Sequence, residues 1–217
     1  MKTNFKLIVA MVFIFFATNA VQAQQSEKQL KKEISAKAMK SARKEAKTYK
    51  KDGYYIAPGA LLLDKQLENA WMKQYEVDDK DEPKYIVATG NSVAETQTAA
   101  KLQATETAKL ELAGQISSQI AALIENSIAN QQLNNEDAAS ITKTVAASKN
   151  LIAQELGKVI PLVELYKKIG TNVEANVRLA YNLDTAYEVA KKVIRKSLEE
   201  ETEIAHEKLE KLMNFNK

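Results

Sequence analysis

The stretch 173-VEANVRLAYNL-183 decides the fold. Val173, Ala175, Val177, Leu179, Tyr181 and Leu183 alternate with Glu174, Asn176, Arg178 and Asn182. Successive strand side chains point to opposite faces, so this period of two predicts a β-strand with one face buried and the other wet. On that register Val177→Asp should cost several kcal/mol as an uncompensated buried carboxylate. Asn176→Asp, facing out, should stay within about ±0.5 kcal/mol. Upstream, Val159 to Ile169 is β-rich, and Gly170-Thr171-Asn172 reads as the turn of a hairpin. Downstream, Asp184 caps a terminal helix with Tyr187, Ala190, Ile194, Leu198, Ala205, Leu209 and Leu212 inward. That helix is long enough to outrun the sheet and project as a tail.

Further towards the N-terminus, Tyr85 to Thr89 (YIVAT) is a third β-rich run, and Gly90-Asn91 signals a turn after it. A long helix is expected from Ser92 or Ala94 to Asn130, with Leu102, Thr105, Ala108, Leu112, Ile116, Ile120, Leu123 and Ile128 in helical period. Alanine is dense in its first half, which permits close approach to a sheet or a neighbouring helix. Asn134-Asn135-Glu136-Asp137 breaks the chain. One more helix then runs to Leu156 with Ala138, Ile141, Val145, Ile152 and Leu156 on one face.

The order β-α-α-β-β-α describes an α+β fold: a three-stranded, mainly antiparallel sheet with helices packed on one face and helical extensions at both ends. The chain divides into a signal peptide (1–23), a helical N-terminal extension and linker (24–83), an α+β domain (84–195) and the end of the C-terminal helix (196–217).

Within that domain the spacing of Gly90, Ala100, Ala104, Ala108, Leu112-Ala113 and Ile116 resembles the LPP20-like envelope proteins, a superfamily that includes the N-terminal domain of the flagellar protein FlgT. Those proteins place a strand ending in glycine before an Ala-rich helix, then a hairpin and a helix, which residues 159–195 match. The likeness is strongest to Bacteroidetes-type secreted members. It implies a cell-envelope or surface role and brings no catalytic residues to carry over. Lipoprotein members carry a lipobox cysteine, which this sequence lacks.

The first residues read as an export signal. Lys2 and Lys6 precede an apolar run from Leu7 to Ala17, and Val21 and Ala23 fit the −3 and −1 positions of signal peptidase. The run is too short to cross a ~30 Å hydrocarbon core as a helix. Cleavage after Ala23 leaves 194 of the 217 residues, beginning at Gln24. The expected address is periplasmic or outer-membrane-associated, without a lipid anchor. With no cysteine there is no disulfide, so packing alone holds the fold.

Residues 26–50 hold strong helix formers, with Ser26 as N-cap and a narrow apolar stripe of Leu30, Ile34, Ala38, Ala42, Ala46 and Tyr49. The other faces are basic: residues 24–51 carry ten Lys or Arg against three Glu. Lys31, Lys32, Lys40, Arg43, Lys44 and Lys47 are the candidate contacts for an anionic surface or a partner. Three readings stand here: a solubilising helix, attraction to anionic lipid or glycan, and nucleic-acid binding. The exported address and scarce aromatics disfavour the last. Glu199 to Glu203 is the acidic counterweight, and attraction between the two segments would give a homo-oligomer. A second helix starts near Asp64 with Leu67, Trp71 and Tyr75, and 76-EVDDKDEP-83 reads as a charged linker.

Catalytic and metal chemistry find little purchase. His206 is the one histidine and lacks a second imidazole or thiol for a metal. No G-x-S-x-G occurs. A calcium loop from Asp79 would need glycine sixth and glutamate twelfth, where Lys84 and Gly90 stand. No catalytic residue, cofactor or metal is therefore assigned. The expectation is a non-catalytic exported binding or scaffold module for envelope proteins; the alternative is a carboxylate-dependent envelope hydrolase, whose paired acids sequence cannot reveal.

Overall fold

The computed structural model describes residue 29 and residues 32–131, 135–201 and 206–213. The expected signal segment, Ser26, Leu30, Lys31 and Ala205 lie outside them. Helix α1 covers residues 32–51, and α2 is Leu63–Tyr75. Strand β1 (Tyr85–Ala94) leads into α3 (Gln97–Gln131), and α4 (Asn135–Ala147) and α5 (Lys149–Glu155) follow. The hairpin β2 (Ile160–Ile169) and β3 (Asn172–Asn182) precedes α6 (Leu183–Glu201) and α7 (His206–Met213). The three strands form one antiparallel sheet in the order β1-β3-β2. This is the α+β architecture that the β-α-α-β-β-α pattern predicts.

Gly170 takes the first place of the two-residue hairpin loop with φ 59°, a conformation that glycine adopts without a Cβ penalty. Gly90, in contrast, is no turn. It lies inside β1, and a Cβ there would stand 2.1 Å from the Ala104 carbonyl oxygen and 2.4 Å from the Ala108 nitrogen. The missing side chain lets α3 lie directly on the sheet, with Ala100, Ala104 and Ala108 fully buried beneath it. Thr96 Oγ1 accepts a hydrogen bond from the Ala99 amide at 3.2 Å and so caps α3 immediately after the strand.

The buried line of α3 continues through Leu112, Ile116, Ile120 and Ile124. Leu102, expected inward, is 62% exposed, and Thr105 and Leu123 are only half-buried. The small residues face the sheet because the backbone approach leaves no room for a leucine there. The helix expected up to Leu156 breaks at Ser148, whose hydroxyl donates to the Thr144 carbonyl at 2.8 Å within the core.

Three further expectations are corrected. Asn182, rather than Asp184, caps α6: its Oδ1 accepts from the Thr185 amide at 2.9 Å. The terminal helix does not project as a tail. Arg195 of α6 pairs with Glu210 of α7 at 2.8 Å, and Leu209, Leu212 and Met213 join the main core. Fifteen residues along one straight helix would hold Arg195 and Glu210 about 22 Å apart, so α7 folds back.

The third correction concerns the sheet. β3 is buried on both faces, and Asn176 is only 6% exposed. Helices α1 and α2 close the face expected to be wet, through an apolar cluster of Ala42, Ala46, Leu63, Leu67, Ala70, Val163 and Leu165. The polar side chains of β3 on this face find partners under the helices instead of water. The linker at 76–83 is also ordered: Asp78 Oδ1 accepts from the Lys80 and Glu82 amides, and Val77 bridges Pro83.

Candidate functional site

Helix α1 sorts its residues by face. Ala38, Ala42 and Ala46 are buried one turn apart, so their methyls let the helix sit close to the layer below. Lys40, Arg43, Lys44 and Lys47 follow the i, i+3, i+4, i+7 spacing of a single stripe on the opposite, exposed side. They line a shallow depression of about 440 Å³ together with Ala36 and Met39. Arg43 Nη2 lies 3.5 Å from Met39 Sδ. Lys32 is exposed nearer the N-terminal end of the helix. Four of the six candidate residues thus come together, Lys32 stands apart from them, and Lys31 lies outside the described residues.

Glu45 lies on the sheet-facing side of α1, away from the stripe. Its carboxylate turns to the sheet, where Oε1 pairs with Arg178 Nη2 at 2.5 Å and Oε2 accepts from Trp71 Nε1 at 2.8 Å. The side chains of Arg178 and Glu45 are 12% and 21% exposed. A charge-assisted pair of this kind, with its remaining lone pairs engaged, is among the stronger polar contacts. It docks α1 on the sheet. No ion pair links Lys40, Arg43, Lys44 or Lys47 to any described acid.

The same interface holds further polar contacts that the sequence did not single out. Tyr54 Oη donates to Glu174 Oε1 at 3.0 Å; burial and the neighbouring carboxylate push this phenol up to about 12. Asn176 Nδ2 donates to Asn91 Oδ1 at 2.7 Å. On the opposite, α3-facing side of the sheet, Tyr166 Oη donates to Glu164 at 2.5 Å, and burial followed by that carboxylate raises it as well. Both phenols stay protonated at neutral pH, which makes them donors rather than bases. The available signal was Arg178 itself, a charge flanked by Val177 and Leu179 in a regular strand.

A second depression, about 670 Å³, runs between α2 and the start of β2 and is lined by Leu61, Met72, Ile160, Leu162, Glu76 and Glu164 among others. Both acids are engaged. Burial would raise Glu76, but hydrogen bonds and charge from Lys73 and Lys84 outweigh it and hold the carboxyl below its usual range. Glu164 pairs with Lys101 at 2.7 Å. Among the described residues, no three His, Asp or Glu are grouped to hold a metal ion, and no helix is long and apolar enough to cross a membrane. Asp79 and Asp81 lie on the exposed turn after Asp78. Of the acidic run, Glu199 and Glu200 lie exposed on α6, with Glu200 3.8 Å from Lys196; residues 202–205 lie outside the described residues.

No protein family, no curated protein and no solved structure matches this chain.

Proposed function

We propose that this chain is an exported, non-catalytic envelope protein that serves as a binding module for other envelope proteins, with the outer face of α1 as its contact. The observation that carries this reading is the exposed stripe of Lys40, Arg43, Lys44 and Lys47, which no described acid pairs. Four cations on one helix face suit an acidic protein surface, where charge complementarity speeds encounter and fixes orientation. The resemblance to LPP20-like envelope proteins supports the same setting. The hydrolase alternative has less in its favour, because a general acid needs a raised pKa and Glu76 is held down by two lysines.

Crosslinking in intact cells, followed by purification from the envelope fraction, tests the reading. The expected result is one or a few acidic envelope proteins captured by the wild type and lost from Lys40→Glu/Lys44→Glu/Lys47→Glu. Mature protein starting at Gln24 is expected in the same fraction. Capture of anionic lipid or glycan alone would replace the protein partner with an anionic surface, and turnover of envelope glycan by purified protein would establish the hydrolase instead.

A further inference from the structure

The two edges of the sheet are finished differently. In the antiparallel ladder, residues alternate between bonding their neighbour strand and pointing their amide and carbonyl away from it. Leu183 donates its amide to the Lys84 carbonyl, which continues the β1–β3 register by one step. Even-numbered β1 residues therefore bond β3, and Tyr85, Val87, Thr89, Asn91 and Val93 direct their backbone groups outward. The same parity across β3 turns Glu164 and Tyr166 outward on the β2 edge, and there both are occupied. The Glu164 amide donates to Gln66 Oε1 at 2.8 Å, and Tyr166 exchanges two backbone bonds with Tyr55 at 2.8 and 2.9 Å. No such bond reaches the outward groups of Val87, Thr89, Asn91 or Val93 among the described residues.

The open edge is recessed. A groove of about 460 Å³ has Val87–Thr89 and Arg178 as its floor, Trp71 and Gln74 of α2 on one wall, and Thr107, Glu111 and Gln115 of α3 on the other; the Arg178 charge is taken up by Glu45. Helices α2 and α3 flank this edge on either side. One wall carries a carboxylate without an ion pair: Glu111 accepts only from Gln115 Nε2, at 3.2 Å. A strand laid along β1 would place every second side chain towards α3, because Ala88 and Gly90 face that helix.

We propose that the β1 edge is a strand-addition site that takes an extended polypeptide segment of a partner, with a basic side chain opposite Ala88 reaching Glu111. Backbone bonds to Val87 and Thr89 supply affinity, and the Glu111 wall selects for Lys or Arg over an acid. This surface is separate from the stripe on α1, so either can fail alone.

The test uses the full mature chain and an acetylated nine-residue peptide of alternating threonine and valine with one central lysine. Its control carries glutamate at the centre. Calorimetric titration should show the lysine peptide binding at least about tenfold more tightly. Amide exchange at Val87 and Thr89 should slow in the complex, with α1 unchanged. Val87→Pro removes an outward donor that no described group uses, which an edge strand tolerates, and should weaken binding about tenfold. Glu111→Lys, on the exposed surface of α3, should reverse the preference between the two peptides. Absence of binding, equal binding of both peptides, or binding indifferent to Val87→Pro and Glu111→Lys would overturn the proposal. So would a doubled mass by light scattering that Val87→Pro returns to monomer, since the edge would then be a seam between two copies.

Discussion

The two faces of the sheet are both covered, yet they are built on different terms. Under α3 the contact is apolar and close, with Gly90, Ala104 and Ala108 bringing backbone against backbone. Under α1 and α2 a small apolar cluster shares the interface with an ion pair and side-chain hydrogen bonds from Trp71, Tyr54 and Asn176. The first face depends on volume, so any added atom has nowhere to go. The second depends on pairing, so its weakness is a partner removed. Alternating polarity along β3 records which kind of layer covers each face, and it says nothing about whether a layer is there.

The largest effect should come from the close face. Gly90→Ala forces α3 off the sheet and should cost about 3 kcal/mol or more, read as a lower midpoint in chemical denaturation. Val177→Asp, with Val177 only 3% exposed, should be as severe. A mild result for Gly90→Ala would mean that the helix can lift without penalty.

On the paired face, Arg178→Met leaves Glu45 half-buried without its cation and should cost about 1–3 kcal/mol. A double-mutant cycle with Glu45→Gln should return coupling of about 0.5–3 kcal/mol; no coupling would remove the pair as the dock of α1. Asn176→Asp should also cost about 1–3 kcal/mol, well above its expectation as a wet residue. The change removes the donor to Asn91 and puts charge on a group whose own Oδ1 is already buried with no partner. Denaturation of this variant within about 0.5 kcal/mol of wild type would show that water reaches the site.

The smallest effect lies at alkaline pH. The Tyr54 phenol rises from its ordinary 10 to about 12 in the folded chain, so the native state holds the proton more tightly than the unfolded one. That contribution is whole below pH 10 and is lost as pH climbs towards 12. Tyr54→Phe should flatten the fall in stability across this window, which thermal melts at several pH values would reveal.

Much of this fold is legible in the sequence. The period of two in β3, the glycine-led hairpin and the density of alanine in α3 each state a local requirement that tertiary context leaves in place. Lys40, Arg43, Lys44 and Lys47 declare a common stripe by spacing alone. Gly90 misleads because a turn and a close approach ask for the same residue, and only the position of α3 separates them. Asn176 and Arg178 mislead because a buried polar side chain that meets a partner and a solvated one look alike in one dimension. Their partners are far away in the chain: Glu45 precedes Arg178 by 133 residues, and Asn91 precedes Asn176 by 85.

The narrow alanine stripe of α1 has a consequence for how the molecule loosens. Three methyls at Ala38, Ala42 and Ala46 contribute roughly 0.8 kcal/mol each on burial, whereas α3 is anchored by a full line of leucine and isoleucine. With the Glu45–Arg178 pair as its main polar tie, α1 opens locally more readily than α3, at a free energy below that of global unfolding. The helix that presents the cations is thus held more lightly than the one that fills the core. Any occupant of its outer face that needs the helix formed adds its binding free energy to the closed state by mass action. Occupancy would then register as slower backbone exchange along α1 and resistance to proteolysis, with the sheet beneath it unmoved.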